Sequence, residues 1–362
     1  MSESGCYDII IVGGGPAGAN FARMIDSTHY SVLMVDGSLG KEKVCGGLIS
    51  PDTQDILARY GMCLPSSVLA NPQLFSVKTI DLKDGYTRYY RRSYINVIRR
   101  RFDELLFSFV PDTVERTEGR CISVKKTDGG YSLQINVCGE KREYRCKYLV
   151  GADGGSSVVR RELFGDRGIY RYVAIQQWFL ADSEDPFYSC VFDNETSSGC
   201  SWIFFKDGKM IFGGAFEPRK SREAFEKQKE KLANLGIIER DLLDRPVRTE
   251  ACQVVRPRLF SGVCLGKDGA FLLGEAAGLI SPSSFEGISY ALRSAELLAD
   301  VLNEATKRKI SPERAYKRAT LTLRVKIAVK CLKRPFMYSY PLRRAVMKSG
   351  LLSLKKGPSS NI

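Results

Sequence analysis

The sequence predicts an α/β fold: a Rossmann-like nucleotide domain interrupted by an inserted antiparallel β-sheet and followed by a helical C-terminal region. Three observations predict it. A short apolar run from Tyr7 to Val12 is followed at once by Gly13-Gly14-Gly15-Pro16-Ala17-Gly18. Two later apolar runs, Tyr148-Leu149-Val150 and Phe271-Leu272-Leu273, also end in glycine turns. Aromatic-rich segments broken by Asp-Gly and Gly-Gly occupy Asp81 to Tyr94 and Tyr170 to Ala215, the pattern of strands in an antiparallel sheet.

Residues 7 to 12 have the unbroken, β-branched apolar character of a strand buried on both faces of a parallel sheet. Pro16 suits the first turn of a helix, and the small residues Ala17, Gly18, Ala19 and Ala22 let that helix lie close on the sheet. Ser31 to Val35 supplies a second strand ending at Asp36, which completes a βαβ unit of about 30 residues. In this context Gly13 permits the tight turn, Gly15 lets the backbone approach a pyrophosphate, and Gly18 allows close packing of helix on strand. The helix N-terminus at Pro16 and Ala17 faces the phosphates, and the Asp36 carboxylate accepts hydrogen bonds from the ribose. These features together specify a dinucleotide site.

The separated apolar runs imply a discontinuous nucleotide domain, residues 1–75, 95–170 and 262–305, with a substrate-binding sheet from 76–94 and 171–261 inserted in it. After Gly287 the positions Ile288, Ala291, Leu292, Ala295, Leu298, Val301 and Leu302 recur at helical spacing. Residues 306–362 form a basic helical region, in which Leu321 to Lys333 and Arg343 to Leu354, separated by Pro335 and Pro341, read as two short helices.

The composition, 44% hydrophobic and 27% charged over 362 residues, is that of a globular protein. No stretch reaches the roughly eighteen apolar residues of a membrane-spanning helix, and the first residues lack the layout of a signal peptide, so a cytoplasmic location is expected. The 11 cysteines contain no CxxC pair and read mostly as buried thiols. His29 is the only histidine, which argues against a His-rich metal site and leaves acid–base chemistry to another group or to water. The net charge of +14 is concentrated: residues 307 to 356 hold 16 Lys and Arg against the single acid Glu313, so the rest of the chain is close to neutral. A neutral body with one basic appendage implies a local docking surface, an anionic membrane face being the candidate, and argues against nucleic acid as the partner.

Tyr148 to Gly154 resembles the Asp-Gly motif of the flavin hydroxylase group, and Phe271 to Gly278 its Gly-Asp motif, whose acid holds the ribityl chain of FAD. The resemblance implies FAD as cofactor, a glutathione reductase-type, aromatic hydroxylase-like FAD fold, and Asp153, Gly154, Gly274 and Glu275 as contacts to it. Glutamate stands at position 275 where the family carries aspartate. Gly287 and Ile288 open the next helix, and their backbone N–H groups are candidates to hold the electron-rich pyrimidine edge of a reduced flavin.

Cys45-Gly46-Gly47-Leu48, Arg99-Arg100-Arg101-Phe102-Asp103 and the two later motifs together resemble the geranylgeranyl reductase superfamily of FAD enzymes. That resemblance places Cys45, Gly46, Gly47 and Leu48 along the ring, Arg99 on the FAD, and the backbone near Cys121 at the adenosine. Cys45 is then a proton donor, a steric wall or a small buried residue; a thiol of pKa about 8.5 is a usable acid near neutrality. The superfamily's aromatic strand over the substrate tunnel corresponds to Cys200 to Phe205, with Trp202 and Phe204 matching and Cys200 and Phe205 departing. Asn71 to Thr79, Tyr172 to Phe179 and Phe187 to Cys190 resemble the CbrA family of flavoproteins almost end to end.

The implied activity is hydride transfer from reduced FAD to a double bond of a long apolar, prenyl or lipid-like substrate held by Trp202 and Phe204. NAD(P)H or another donor acts transiently, because only one GxGxxG has the proper context. Two other readings share the sequence: a FAD-dependent monooxygenase, hydroxylase or halogenase-like, acting on an aromatic or other small apolar molecule, and a membrane-associated flavoprotein that binds or regulates. The paired-tryptophan halogenase signature is absent, with Cys200 and Phe205 at its ends.

Overall fold

The computed structural model describes residues 5–37, 44–181, 187–308 and 310–354, the side chains of 306–308 excepted. The chain opens with β1 (Gly5–Val12), α1 (Pro16–Met24), β2 (Val32–Asp36), β3 (Leu48–Ile49) and α2 (Pro51–Arg59). A hairpin of β4 (Leu74–Asp81) and β5 (Tyr86–Asn96) leads to α3 (Arg99–Ser108), β6 (Glu115–Glu118), β7 (Arg120–Thr127), β8 (Gly130–Val137), β9 (Glu140–Gly151) and α4 (Val158–Leu163). Next come β10 (Ile169–Leu180), β11 (Phe187–Phe192), β12 (Ser201–Lys206), β13 (Lys209–Phe216), α5 (Ser221–Asn234), α6 (Arg240–Leu243) and β14 (Arg248–Pro257). The last elements are β15 (Gly266–Lys267), β16 (Ala270–Leu272), α7 (Ile288–Arg308), α8 (Pro312–Ala319), α9 (Leu321–Tyr338) and α10 (Tyr340–Ser349).

Strands β16, β9, β1, β2 and β6 form a parallel core in that order, with β15 antiparallel at one edge and β8 and β7 hung antiparallel from β9. Ile9, Ile10 and Ile11 are fully buried because each face of β1 meets its own core. Ile9 and Ile11 pack with Phe21, Phe102, Leu292 and Leu298 of the covering helices, whereas Ile10 packs with Leu33, Leu133, Leu149 and Leu279. Asn20 Nδ2 donates to Leu292 O at 2.8 Å and so fixes α1 against α7.

The second sheet has the order β14-β10-β13-β12-β11-β4-β5-β3. The β12–β13 hairpin turns on Asp207 and Gly208, both at positive φ, as a two-residue loop between twisted strands requires. One pairing departs from the antiparallel expectation: β11 runs parallel to β4, from Phe187 opposite Ser76 to Phe192 opposite Asp81. No hairpin joins these strands, so nothing local imposes an antiparallel sense on them.

The C-terminal region also differs from its sequence reading. Pro335 lies inside the last part of α9, which continues to Tyr338, while Pro341 falls in the first turn of α10, which ends at Ser349. Tertiary bonds beyond Pro335 offset the bond it removes: Tyr338 Oη donates to Ser283 O at 2.6 Å, and Arg343 Nη1 donates to Met337 O at 2.8 Å. Helix α8, absent from the sequence reading, is only eight residues long and buries only Tyr316. All 11 cysteines are free thiols, but only Cys121, Cys146, Cys200 and Cys331 are buried, which corrects the expectation of mostly buried thiols. Cys6, Cys63 and Cys138 lie exposed at a strand start, past a helix end and in a hairpin turn. His29 is exposed beside Tyr30, with ring centroids 5.1 Å apart.

Candidate active site

The glycine turn between β1 and α1 separates two demands. Gly13 has φ +106°, and a Cβ there would lie 2.6 Å from Ala152 O; a Cβ on Gly18 would lie 1.8 Å from Gly13 O. Both glycines are required by the protein's own packing. Gly15 is different: its φ of −68° suits any residue and a Cβ would meet nothing within 4 Å. The space in front of it opens on the first turn of α1, whose N–H groups no helix bond satisfies. Asp36, at the end of β2, is 7% exposed, and its carboxylate lies against Gly14.

These residues line one end of a cavity of about 950 Å³, at the upper end of the range for ligand clefts. Every residue expected at the cofactor or the substrate lines it except Gly18, Gly47 and Gly274. Those three act behind the wall. Gly47 turns the chain at φ +65°, with space for a Cβ taken by Val97 O at 2.3 Å, and Gly274 turns it at φ +51° against Ala291.

Asp153 and Glu275 face the cavity from the C-terminal ends of the neighbouring parallel strands β9 and β16. Asp153 Oδ2 accepts from Val158 N at 2.7 Å and caps α4, while the buried Oδ1 has no protein partner. Burial pushes the Asp153 carboxyl above its ordinary value, against the pull of those hydrogen bonds. Glu275 Oε1 accepts from Val255 N of β14 at 3.1 Å, and a Cβ on Gly155 would come within 2.6 Å of it. The extra methylene of glutamate thus reaches a backbone donor on the second sheet. Cys121 lies buried in the wall at β7, where burial and then the Asp153 charge push its thiol up to about 12.

Cys45 stands where the cavity meets a smaller one of about 360 Å³, and both are lined also by Arg99. The Arg99 guanidinium is 5% exposed, pairs with Asp103 at 2.9 Å one helical turn on, and hydrogen-bonds the Cys45 side chain. Burial disfavours its charge, but Asp103 and Cys45 outweigh burial and hold its pKa above the ordinary value. Sequence reasoning missed Lys206 beneath this loop: its Nζ donates to Gly46 O at 2.7 Å and Val97 O at 2.6 Å.

Beyond Cys45 the wall is aromatic. Trp202 and Phe204 project from one face of β12, with Gly46 so close to Phe204 that a Cβ would lie 3.1 Å from the ring. Tyr188 and Tyr94 continue the wall, with ring centroids 5.2 Å apart, and Tyr188 lies 6.2 Å from Phe204. The sequence reading assigned neither tyrosine to the site. Tyr94 Oη donates to Glu286 Oε1 at 2.6 Å and accepts from Arg92 Nε at 2.7 Å; Arg92 Nη2 reaches Glu286 Oε2 at 2.8 Å. Burial and then the Glu286 charge hold the Tyr94 phenol well above its ordinary pKa. Glu286 sits just before Gly287 and Ile288, so the clamp fixes the start of α7.

Residues 113–318 match the FAD binding domain family, and residues 7–172 match the pyridine nucleotide-disulphide oxidoreductase family. The chain is 42% identical over 351 residues to protein CbrA of Escherichia coli O9:H4 strain HS, an alignment spanning 95% of this chain and 94% of the relative. The chain belongs to the CbrA family. It is accordingly an enzyme of the FAD-dependent oxidoreductase and monooxygenase class. Among solved structures it superposes on a geranylgeranyl bacteriochlorophyll reductase-like protein from Thermoplasma acidophilum with a TM-score of 0.75 at 18% identity, covering 95% of this chain and 91% of that one. On the flavin-dependent brominase Bmp2 the TM-score is 0.68 at 16% identity, covering 95% and 92%. Such identities establish the fold alone. Within the CbrA family member the cavity suits FAD: open space at Gly15 for a diphosphate, an orphaned Asp153 Oδ1 for a hydroxyl, and the unsatisfied N–H groups of Gly287 and Ile288 at the helix start.

Proposed function

We propose that this enzyme reduces isolated double bonds of a long apolar, prenyl or lipid-like substrate. The observation that carries the reading is the wall beyond Cys45. Tyr188, Trp202 and Phe204 present ring surface, and the polar groups beside them, Tyr94 Oη and Glu286, are spent on each other and on Arg92. Trp202 Nε1 has no hydrogen-bond partner but is buried against Gly213, so the surface turned to the cavity is aromatic and favours a substrate with no polar group of its own at that point.

Bound FAD, when reduced, supplies the hydride for this reaction. Gly15, Pro16 and Ala17 hold the diphosphate and Asp36 the ribose. Asp153 and Glu275 orient the chain between phosphate and ring, and Gly287 and Ile288 place N–H groups at the pyrimidine edge. The proton for the second carbon comes from the Cys45 thiol or from water beside it, and the Arg99 guanidinium offsets the thiolate left behind. NAD(P)H is the transient donor: one hydride and one proton add across the double bond for each NAD(P)H oxidised.

The test is product mass. FAD-loaded enzyme is incubated without oxygen with NADPH and geranylgeraniol, and the product is analysed by mass spectrometry. Gain of hydrogen pairs without oxygen is expected. An unchanged prenyl chain, with oxygen incorporated into phenolic substrates in air, would replace the reductase reading with a monooxygenase one.

A further inference from the structure

The basic tail is built into the body by one face and presents a different face outward. On the inner side of α9, Ile327 and Cys331 are buried in the core that also holds Leu33, Leu149 and Leu279. Lys326 pairs with Asp52 at 2.9 Å, and Tyr338 reaches Ser283 O at 2.6 Å. On the outer side stand Leu321, Val325, Val329, Leu332 and Phe336, spaced i, i+4, i+8, i+11 and i+15, which is a single stripe on a helix of about 3.6 residues per turn. All five are between 45% and 61% exposed. A contiguous stripe of large apolar side chains facing solvent marks an interaction surface.

The flanks of the stripe are cationic. Lys317 and Arg318 precede it and Lys333 lies beside it, all exposed, and none pairs with a carboxylate among the described residues. We infer that this face docks on an anionic lipid bilayer, with α9 along the membrane plane, the stripe at the acyl boundary and the cations on the phosphates. Charge decides between occupants. A second copy of this chain would bring two regions of 16 cations against one acid face to face, and repulsion opposes that pairing, whereas an anionic headgroup layer complements it. The surface is also joined to the cavity, because Tyr338 anchors on the Ser281–Gly287 loop that carries Ser284, Phe285 and Glu286 of the cavity wall. The docking stands whichever substrate the enzyme takes, and its test involves no turnover.

The experiment is flotation of the FAD-loaded full chain with vesicles of phosphatidylcholine alone or mixed equally with phosphatidylglycerol. The protein floats with the mixed vesicles and not with pure phosphatidylcholine, and high salt reduces the bound fraction. Val325→Glu combined with Leu332→Glu lowers the bound fraction at least tenfold while flavin absorbance and melting temperature stay as in the wild type. Lys317→Glu with Lys333→Glu lowers binding to the mixed vesicles as well. Three results overturn the inference: no flotation of the wild type at low salt, undiminished flotation of the Val325/Leu332 variant, or a dimer seen by light scattering that this variant dissociates.

Discussion

The Tyr94 hydroxyl bridges two parts of the chain 192 residues apart, donating to Glu286 at 2.6 Å while Arg92 donates to it at 2.7 Å. The bridge ties β5 of the second sheet to the loop that opens α7, where Gly287 and Ile288 line the cavity. Tyr94→Phe keeps the ring in the wall and removes both hydrogen bonds of the hydroxyl, so it lowers stability by about 1–3 kcal/mol and weakens FAD binding severalfold. Glu286→Gln leaves the partly buried Arg92 charge with a weaker partner and costs more. Calorimetric titration of the apoprotein with FAD and urea unfolding of both variants check the order.

Gly15 and Gly18 give opposite outcomes when replaced by alanine. Gly18→Ala forces a Cβ into Gly13 O and fails to fold or melts much earlier. Gly15→Ala meets no protein atom within 4 Å, so the melting temperature of its apoprotein matches that of the wild-type apoprotein. Its Cβ stands in the space left for the diphosphate, and the purified protein carries little flavin absorbance.

The C-terminal helix is held by a buried ion pair. Arg343 Nη2 lies 2.7 Å from Asp81 Oδ2, with side-chain exposures of 4% and 0%. Arg343→Met leaves the Asp81 carboxylate buried and uncompensated, and destabilises by about 3–5 kcal/mol. Pairing it with Asp81→Leu recovers most of that loss. Urea denaturation of the two variants measures both effects.

Alkaline pH destabilises the enzyme through its buried phenols. Burial pushes Tyr30 and Tyr131 up to about 12, and holds Tyr94 well above the ordinary value. A pKa raised on folding contributes stability that is fully present below the unfolded value of about 10 and is lost as pH rises through the folded value. Melting temperature therefore falls between pH 10 and 12. In a phenolate absorbance titration, part of the tyrosine signal appears only as the protein unfolds.

The parts of the site that lie within a few residues of one another were legible in the sequence. Gly13, Gly15 and Asp36 follow from a local strand–turn–helix–strand pattern, and Trp202 and Phe204 from the resemblance of their strand to the aromatic strand of the geranylgeranyl reductase superfamily. The Arg92–Tyr94–Glu286 clamp, the Lys206 support under Gly46 and the Arg343–Asp81 pair were not legible, since each joins residues that only the folded sheets bring together. The parallel seam between β4 and β11 escaped for the same reason: an aromatic strand pattern carries no record of its partner's direction. Pro335 misled because a local rule of helix breaking lost to tertiary anchoring at Tyr338 and Arg343.

The central claim, that reduced flavin in this cavity passes its hydride to an apolar double bond, is tested most directly by following the flavin itself. The FAD-loaded enzyme is photoreduced under argon and mixed with geranylgeraniol in detergent. Return of the oxidised flavin absorbance on adding the prenyl compound, before any oxygen is admitted, is the predicted result. Flavin that stays reduced with every prenyl compound under argon, and reoxidises only when oxygen enters, would contradict it.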